Sequence, residues 1–215
     1  MTQLIELSLK QKRFKKNKRV ILKDFQLSVS VGDSVAVMGE SGIGKTSLLN
    51  ILGLIDQDYE GSYKLFGRST KTYSAKEQAQ MRNNRIGFIL QENTLIPSLS
   101  IKDNICLPWL YCPKEKQDQA FFDELIRRLK LDDLLSQKPG ECSGGQRARA
   151  VIGRAVLMKP DLILADEPTA SLDEENRQEV LAILKDLNRD FKASLITVTH
   201  DHAVAQNHRK ILRMV

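Results

Sequence analysis

The stretch Gly39–Thr46, GESGIGKT, constrains this chain more than any other. It satisfies the pattern G-x-x-x-x-G-K-[S/T] in the context that pattern needs, with an apolar run before it (Ser34–Gly39, SVAVMG) and an apolar helical stretch after it (Lys45–Leu54). Its glycines let the backbone turn so that successive N–H groups converge on phosphate oxygens. The start of the following helix adds a partial positive charge. A strand, a phosphate-cradling loop and a helix in that order demand a buried parallel sheet covered by helices. Lys45 is expected to reach the β- and γ-phosphates of a nucleoside triphosphate, and Thr46 to offer its hydroxyl to Mg²⁺. Gly39, Glu40, Ser41, Gly42, Ile43, Gly44 and Ser47 complete the cradle.

The rest of the chain alternates in the same way. Arg85–Leu90 (RIGFIL), Asp161–Asp166 (DLILAD) and Ser194–His200 (SLITVTH) are short apolar runs suited to buried strands. Helical stretches are expected at Ala75–Asn83, Gln117–Lys130, Gly145–Leu157 and Glu174–Asp190, which gives an α/β fold with right-handed crossovers. Two further strands, IELSL and FQLSVS, flank the basic run Lys10–Arg19, which reads as a solvated hairpin loop. From Glu92 to Arg149 no strand is legible, which suggests a helical lobe inserted into the core. The resulting layout is one domain, 1–215, with an α/β core at 1–91 and 150–215 and a helical subdomain at 92–149.

Bulk properties narrow the partners without choosing one. Hydrophobic and charged contents of 41% and 28% are ordinary for a globular chain of 215 residues. A net charge of +6 suits phosphate ligands, a nucleic acid or an anionic membrane surface. Aromatic residues, at 6%, argue against base-stacking platforms. No apolar run approaches the roughly 20 residues that span a bilayer, and the first residues lack the apolar core of a secretory signal. Cys106, Cys112 and Cys142 lack CxxC spacing, so neither a zinc site nor a disulfide framework is indicated. A cytosolic location is expected.

A phosphate cradle needs a carboxylate for its metal on a neighbouring buried strand. DLILADEP carries Asp166 to a strand's carboxyl end, where α/β sheets place ligands. Glu167, next in line, is expected to face the γ-phosphate as a base that polarises water. His200 ends another strand on the same edge and can contact the same phosphate. Asp161 is expected in an exposed loop, while His202 and His208 are assigned no site.

A second glycine-rich turn, Ser143-Gly144-Gly145-Gln146, caps a predicted helix but lacks the lysine of the first. It can complete a site half built by another subunit, with small residues that let the backbone approach a ligand. GESGIGKT, Gln91, CSGGQ (Cys142–Gln146), LILADEP (Leu162–Pro168), SLD (Ser171–Asp173) and His200 stand in an order that resembles ATP-binding subunits of ABC transporters, over nearly the whole chain. The resemblance implies a P-loop (RecA-like) NTPase core with a mostly parallel sheet, an N-terminal antiparallel β portion and an inserted helical subdomain. It implies a homodimer that sandwiches two ATP molecules, each between the P-loop of one copy and Ser143–Gln146 of the other. Gln91 would then couple Mg²⁺ and the attacking water to the helical lobe, Asp173 would lie at the shared seam, and Phe14 would stack on adenine.

RNNRIGFILQENTLIPSLSIKDNICLP and ADEPTASLD look like the subgroup that powers exporters of macrolides, peptides and lipoproteins. That implies membrane-spanning permease partners, a peripheral place on the inner face of the membrane, and no nucleic-acid partner. The alternatives are an ATPase acting on nucleic acid or the ribosome, and a division-type regulator that transports nothing. Cys142 stands where the family usually has Leu, and Phe14 replaces the commoner Tyr. Gly153 inside a helix should cost about 1 kcal/mol relative to Ala. The chain stops at RKILRMV, where relatives usually continue through a turn and a further strand or helix, so the sheet edge and any C-terminal contact are left open by the resemblance.

Overall fold

Alternation and its absence distinguish the two sheets. The computed structural model describes residues 2–13, 19–90 and 94–214. Strand β1 (Gln3–Arg13) buries alternate residues, and β2 (Val20–Ser30) does so along its second half, as antiparallel strands with one solvated face do. They pair in antiparallel register, with Leu7 opposite Leu27. Strand β3 (Ser34–Met38) is buried at every residue, as a parallel strand covered on both faces must be. Helix α1 (Lys45–Leu52) follows the glycine-rich loop. Strands β4 (Glu60–Leu65) and β5 (Arg68–Ser69) then complete a four-stranded antiparallel sheet in the order β2-β1-β4-β5.

After α2 (Ala75–Asn84), strand β6 (Ile86–Ile89) opens the second sheet. Helices α3 (Ile101–Cys106), α4 (Gln119–Arg128) and α5 (Gly144–Val156) lead to β7 (Leu162–Asp166). Helix α6 (Glu174–Phe191), strand β8 (Ser194–Thr199), the single turn α7 (His202–Ala205) and β9 (Lys210–Arg213) end the described chain. The second sheet is parallel throughout, in the order β6-β7-β8-β3-β9. Alternate residues of β7 enter two cores. Leu162 and Leu164 pack with α1 and the antiparallel sheet, whereas Ile163 and Ala165 pack with α3 to α6.

Several expectations change. The basic run is not a loop throughout, because β1 extends to Arg13. Lys12 is 3% exposed, hydrogen-bonds the Asp58 carbonyl and lies 2.8 Å from the Asp56 carboxylate. A buried ammonium needs such partners, and they come from 44 and 46 residues away. Strand β4 was not anticipated because only Tyr63 and Leu65 of EGSYKL are buried, too few for a legible period. Helix α3 hid among prolines, although Ser100 caps it by accepting from the Asp103 N–H. The sheet edge forms, with β9 beside β3 and Lys210 opposite Val35. Gly153 has a packing reason: a Cβ there would lie 3.0 Å from Leu129 Cδ1, so its absence lets α5 press against its neighbours.

Candidate nucleotide site

The loop after β3 takes its shape from two glycines with positive φ, Gly42 at +82° and Gly44 at +107°. Gly44 is needed twice over, since a Cβ there would also meet Ile21 Cγ2 at 2.6 Å. Helix α1 begins at Lys45, so its first N–H groups, which have no intrahelical acceptor, are available to an anion. The Lys45 side chain is nearly buried and arcs back over its own loop. Its Nζ donates to the carbonyls of Gly39 at 2.7 Å and Glu40 at 3.0 Å. Thr46 Oγ1 donates to Asp166 Oδ2 at 2.7 Å. Burial pushes the Asp166 carboxyl above its usual 3.8, with the Thr46 bond opposing that shift.

Glu167 follows β7 with φ at +44°, an uncommon conformation for a side chain other than glycine. Its N–H continues the pairing with β8 by donating to the Val198 carbonyl at 3.0 Å. The carboxylate is 8% exposed. Oε1 accepts from the His200 N–H at 2.9 Å and from His200 Nδ1 at 2.7 Å, so Nδ1 carries the proton in that bond. Oε2 accepts from Thr199 Oγ1 at 2.8 Å, and Lys45 Nζ lies 3.7 Å from Oε1. His200 remains mostly exposed.

These groups open onto one cavity of about 1030 Å³. Every predicted cradle residue from Glu40 to Ser47 lines it, together with Asp166, Glu167 and His200. Gly39 lies beneath, supplying a carbonyl to Lys45. Arg19, Val20 and Ile21 also line it and were missed, because no motif marks the end of a hairpin. Asp161, predicted in an exposed loop, is exposed and ion-paired to Arg85 at 2.7 Å.

The second turn does not join this cavity. Ser143 caps α5 reciprocally with Gln146: Ser143 Oγ accepts the Gln146 N–H at 3.3 Å, and Gln146 Oε1 accepts the Ser143 N–H at 2.7 Å. Gly145 has an intramolecular reason to be glycine, since a Cβ there would sit 1.7 Å from Asn176 Oδ1 on α6. Gly144 instead lines a separate cavity of about 260 Å³ with Arg147 and Ser171. Glu167 lines both cavities and stands between them. Asp173 caps α6, and its carboxylate is held by the Asn176 N–H and side chain, which lower its pKa.

The profile of the family described as "ABC transporter" matches residues 22–170. The chain belongs to that family. It is 43% identical over 197 residues to the macrolide export ATP-binding/permease protein MacB of Rhodopseudomonas palustris, covering 91% of this chain and 30% of that protein. It is 39% identical over 197 residues to the lipoprotein-releasing system ATP-binding protein LolD of Francisella tularensis, covering 91% of this chain and 85% of that one. The solved dimer of a bacterial ABC transporter cassette superposes with a TM-score of 0.88 at 31% identity, over 98% of this chain and 94% of that chain. A post-hydrolysis dimer of the same cassette, bound to ADP and phosphate, gives 0.86.

As an ABC ATPase cassette, the chain has the P-loop NTPase fold expected of it, and these relatives favour a transporter ATPase over one acting on nucleic acid or the ribosome. Phe14 and Gln91 lie outside the described residues. Among the described residues no group of three or more His, Cys, Asp or Glu could hold a metal, and no helix is long and apolar enough to cross a membrane. Cys142 is buried in the helical core, 6% exposed, which suits a packing role in place of Leu. His208 is half-buried, with its Nε2 2.8 Å from Thr197 Oγ1 on β8.

Proposed function

We propose that this cassette binds and hydrolyses Mg-ATP as a homodimer and thereby drives a membrane permease that exports peptide, lipoprotein or drug-like substrates. The observation that carries the reading is the convergence of Lys45, Thr46, Asp166, Glu167 and His200 on one cavity at the carboxyl ends of β3, β7 and β8. Names of relatives, macrolide export for MacB and lipoprotein release for LolD, support the exporter class.

The donor set fits the ligand. Gly39–Ser47 would cradle the triphosphate, with the N–H groups at the start of α1 and the Lys45 ammonium as donors. Thr46 Oγ1, with Gln91, would offer the hard oxygen ligands that Mg²⁺ takes, and the Asp166 carboxylate, which accepts from Thr46 Oγ1 at 2.7 Å, would hold the metal from behind them. Bound Mg²⁺ would neutralise charge on the phosphate oxygens as the bond to the γ-phosphate breaks. Glu167 would take the proton of the attacking water, and His200 would hold the γ-phosphate. Phe14 would stack on adenine. Ser143, Gly144, Gly145, Gln146 and Asp173 of a second copy, none of which lines this cavity within one copy, would close it.

In this reading 1–91 and 150–215 act as the ATP-binding core. The helical subdomain 92–149 passes closure to permease subunits from the inner face of the membrane. ATP binding favours the closed dimer, and hydrolysis removes the contacts that distinguish it from the open one. The purified chain should hydrolyse ATP only with Mg²⁺, at a specific rate that rises with protein concentration. A metal-independent or strictly first-order rate would overturn the composite site. Absence of any membrane protein from native co-purification would overturn the transporter role.

A further inference from the structure

The Glu167 carboxylate is held at two points, and only one of them is His200. Both His200 donors, its N–H and Nδ1–H, converge on Oε1. A carboxylate held at one oxygen can still swing its second oxygen about that point. Oε2 is held by Thr199 Oγ1 alone among the described hydrogen bonds, at 2.8 Å. The direction of that bond follows from chemistry. The Asp201 N–H, which can only donate, is 3.0 Å from Thr199 Oγ1, so the hydroxyl accepts there and turns its own proton to Glu167.

Thr199 is well placed to keep this hold. It is fully buried, ends β8 and pairs with Met38 of β3. Asp201, whose N–H orients the hydroxyl, caps α7 through the Ala203 N–H at 2.8 Å. His200, in contrast, is 64% exposed at the mouth of the cavity, where an arriving nucleotide competes for its ring. A buried donor on the strand can orient the base whether or not the histidine ring stays with it.

We propose that Thr199 is a positioning residue for ATP hydrolysis: its hydroxyl holds Glu167 Oε2 and so sets the plane of the carboxylate that receives the water proton. This rests on the catalytic assignment of Glu167. Misdirecting a base by about an ångström costs up to about a hundredfold in rate.

Full-length Thr199→Val keeps the branched shape and removes the donor. Its kcat should fall about ten- to a hundredfold, while KM for ATP stays within about twofold. Thr199→Ser retains a hydroxyl and should recover kcat to within about threefold. In a Glu167→Gln background, adding Thr199→Val should change the single-turnover rate by less than about twofold, because the oriented base is already gone. Thermal melting checks each fold, and if Thr199→Val does not fold, Thr199→Ala takes its place against Thr199→Ser. A kcat for the valine variant within about twofold of the parent, a loss confined to KM, a serine variant as impaired as valine, or a fully multiplicative loss in the glutamine background would each overturn the proposal. Near-normal hydrolysis by Glu167→Gln overturns the catalytic assignment itself. A slow Glu167→Gln beside an unimpaired Thr199→Val overturns only the role of Thr199.

Discussion

Two helix starts in this cassette share glycines and a polar residue, yet they are finished differently. At Lys45 the loop, the strand-end carboxylates and His200 surround one large cavity, and Thr46 already meets Asp166. At Ser143 the turn is closed on itself by Gln146 and pressed against Asn176 of α6. The first region has positioned its chemistry within one polypeptide. The second holds its side chains in its own cap, and Gly144 lines a separate, smaller cavity rather than the one that the first builds. That asymmetry fits the proposed shared site, in which a second copy would bring its Ser143 turn to this cavity.

Substitutions can break this contrast in order of severity. Lys45→Ala should weaken ATP binding by at least about a hundredfold, roughly 2.7 kcal/mol, and abolish turnover; retained affinity by calorimetry would contradict the cradle. Glu167→Gln should still bind ATP but hydrolyse it at least about a hundredfold more slowly, as a phosphate-release assay reads. Ser143→Arg should also block turnover, with ATP affinity unchanged within about threefold. Mixing it with Lys45→Ala should restore up to about a quarter of parental activity, because half of the dimers then hold one intact site. Failure of that complementation would place both turns in the same copy's chemistry.

Smaller effects sharpen the contrast. Gly145→Ala should cost about 1–3 kcal/mol in urea unfolding, because Asn176 must move. Burial also pushes His208, which braces β8 through Thr197, below its usual 6.5. Below pH 6.5 the unfolded chain therefore binds a proton that the folded one does not, so stability falls as the solution is acidified and is unaffected above that value. Relative to His208→Gln, the parent should lose up to about 1.4 kcal/mol at pH 5.5, read from urea midpoints.

Legibility followed sequence distance. Lys45, Thr46, Asp166, Glu167 and His200 were readable because each sits at a strand end or helix start that its own neighbours specify. The same holds for β3, β7 and β8, whose unbroken apolar runs require burial on both faces. Lys12 was misread as solvated because its carboxylate partner lies beyond α1. Thr199 carried no motif of its own beside His200, and its bond to Glu167 spans 32 residues. Gly145 also has a reason to be glycine that no local pattern shows, the side chain of Asn176 on α6, 31 positions later.

Residue order alone was enough to specify the glycine-rich loop, the strand-end carboxylates, the α/β alternation and the family, since these depend on patterns a few residues long. Assembly in three dimensions settled which groups meet: Glu167 between His200 and Thr199, Lys45 folded over its own loop, and Gly145 against Asn176 of α6. The physical reason is that side-chain hydrogen bonds reach only about 3 Å. Such contacts exist only after the strands have packed into register, and no local pattern encodes the distance across them.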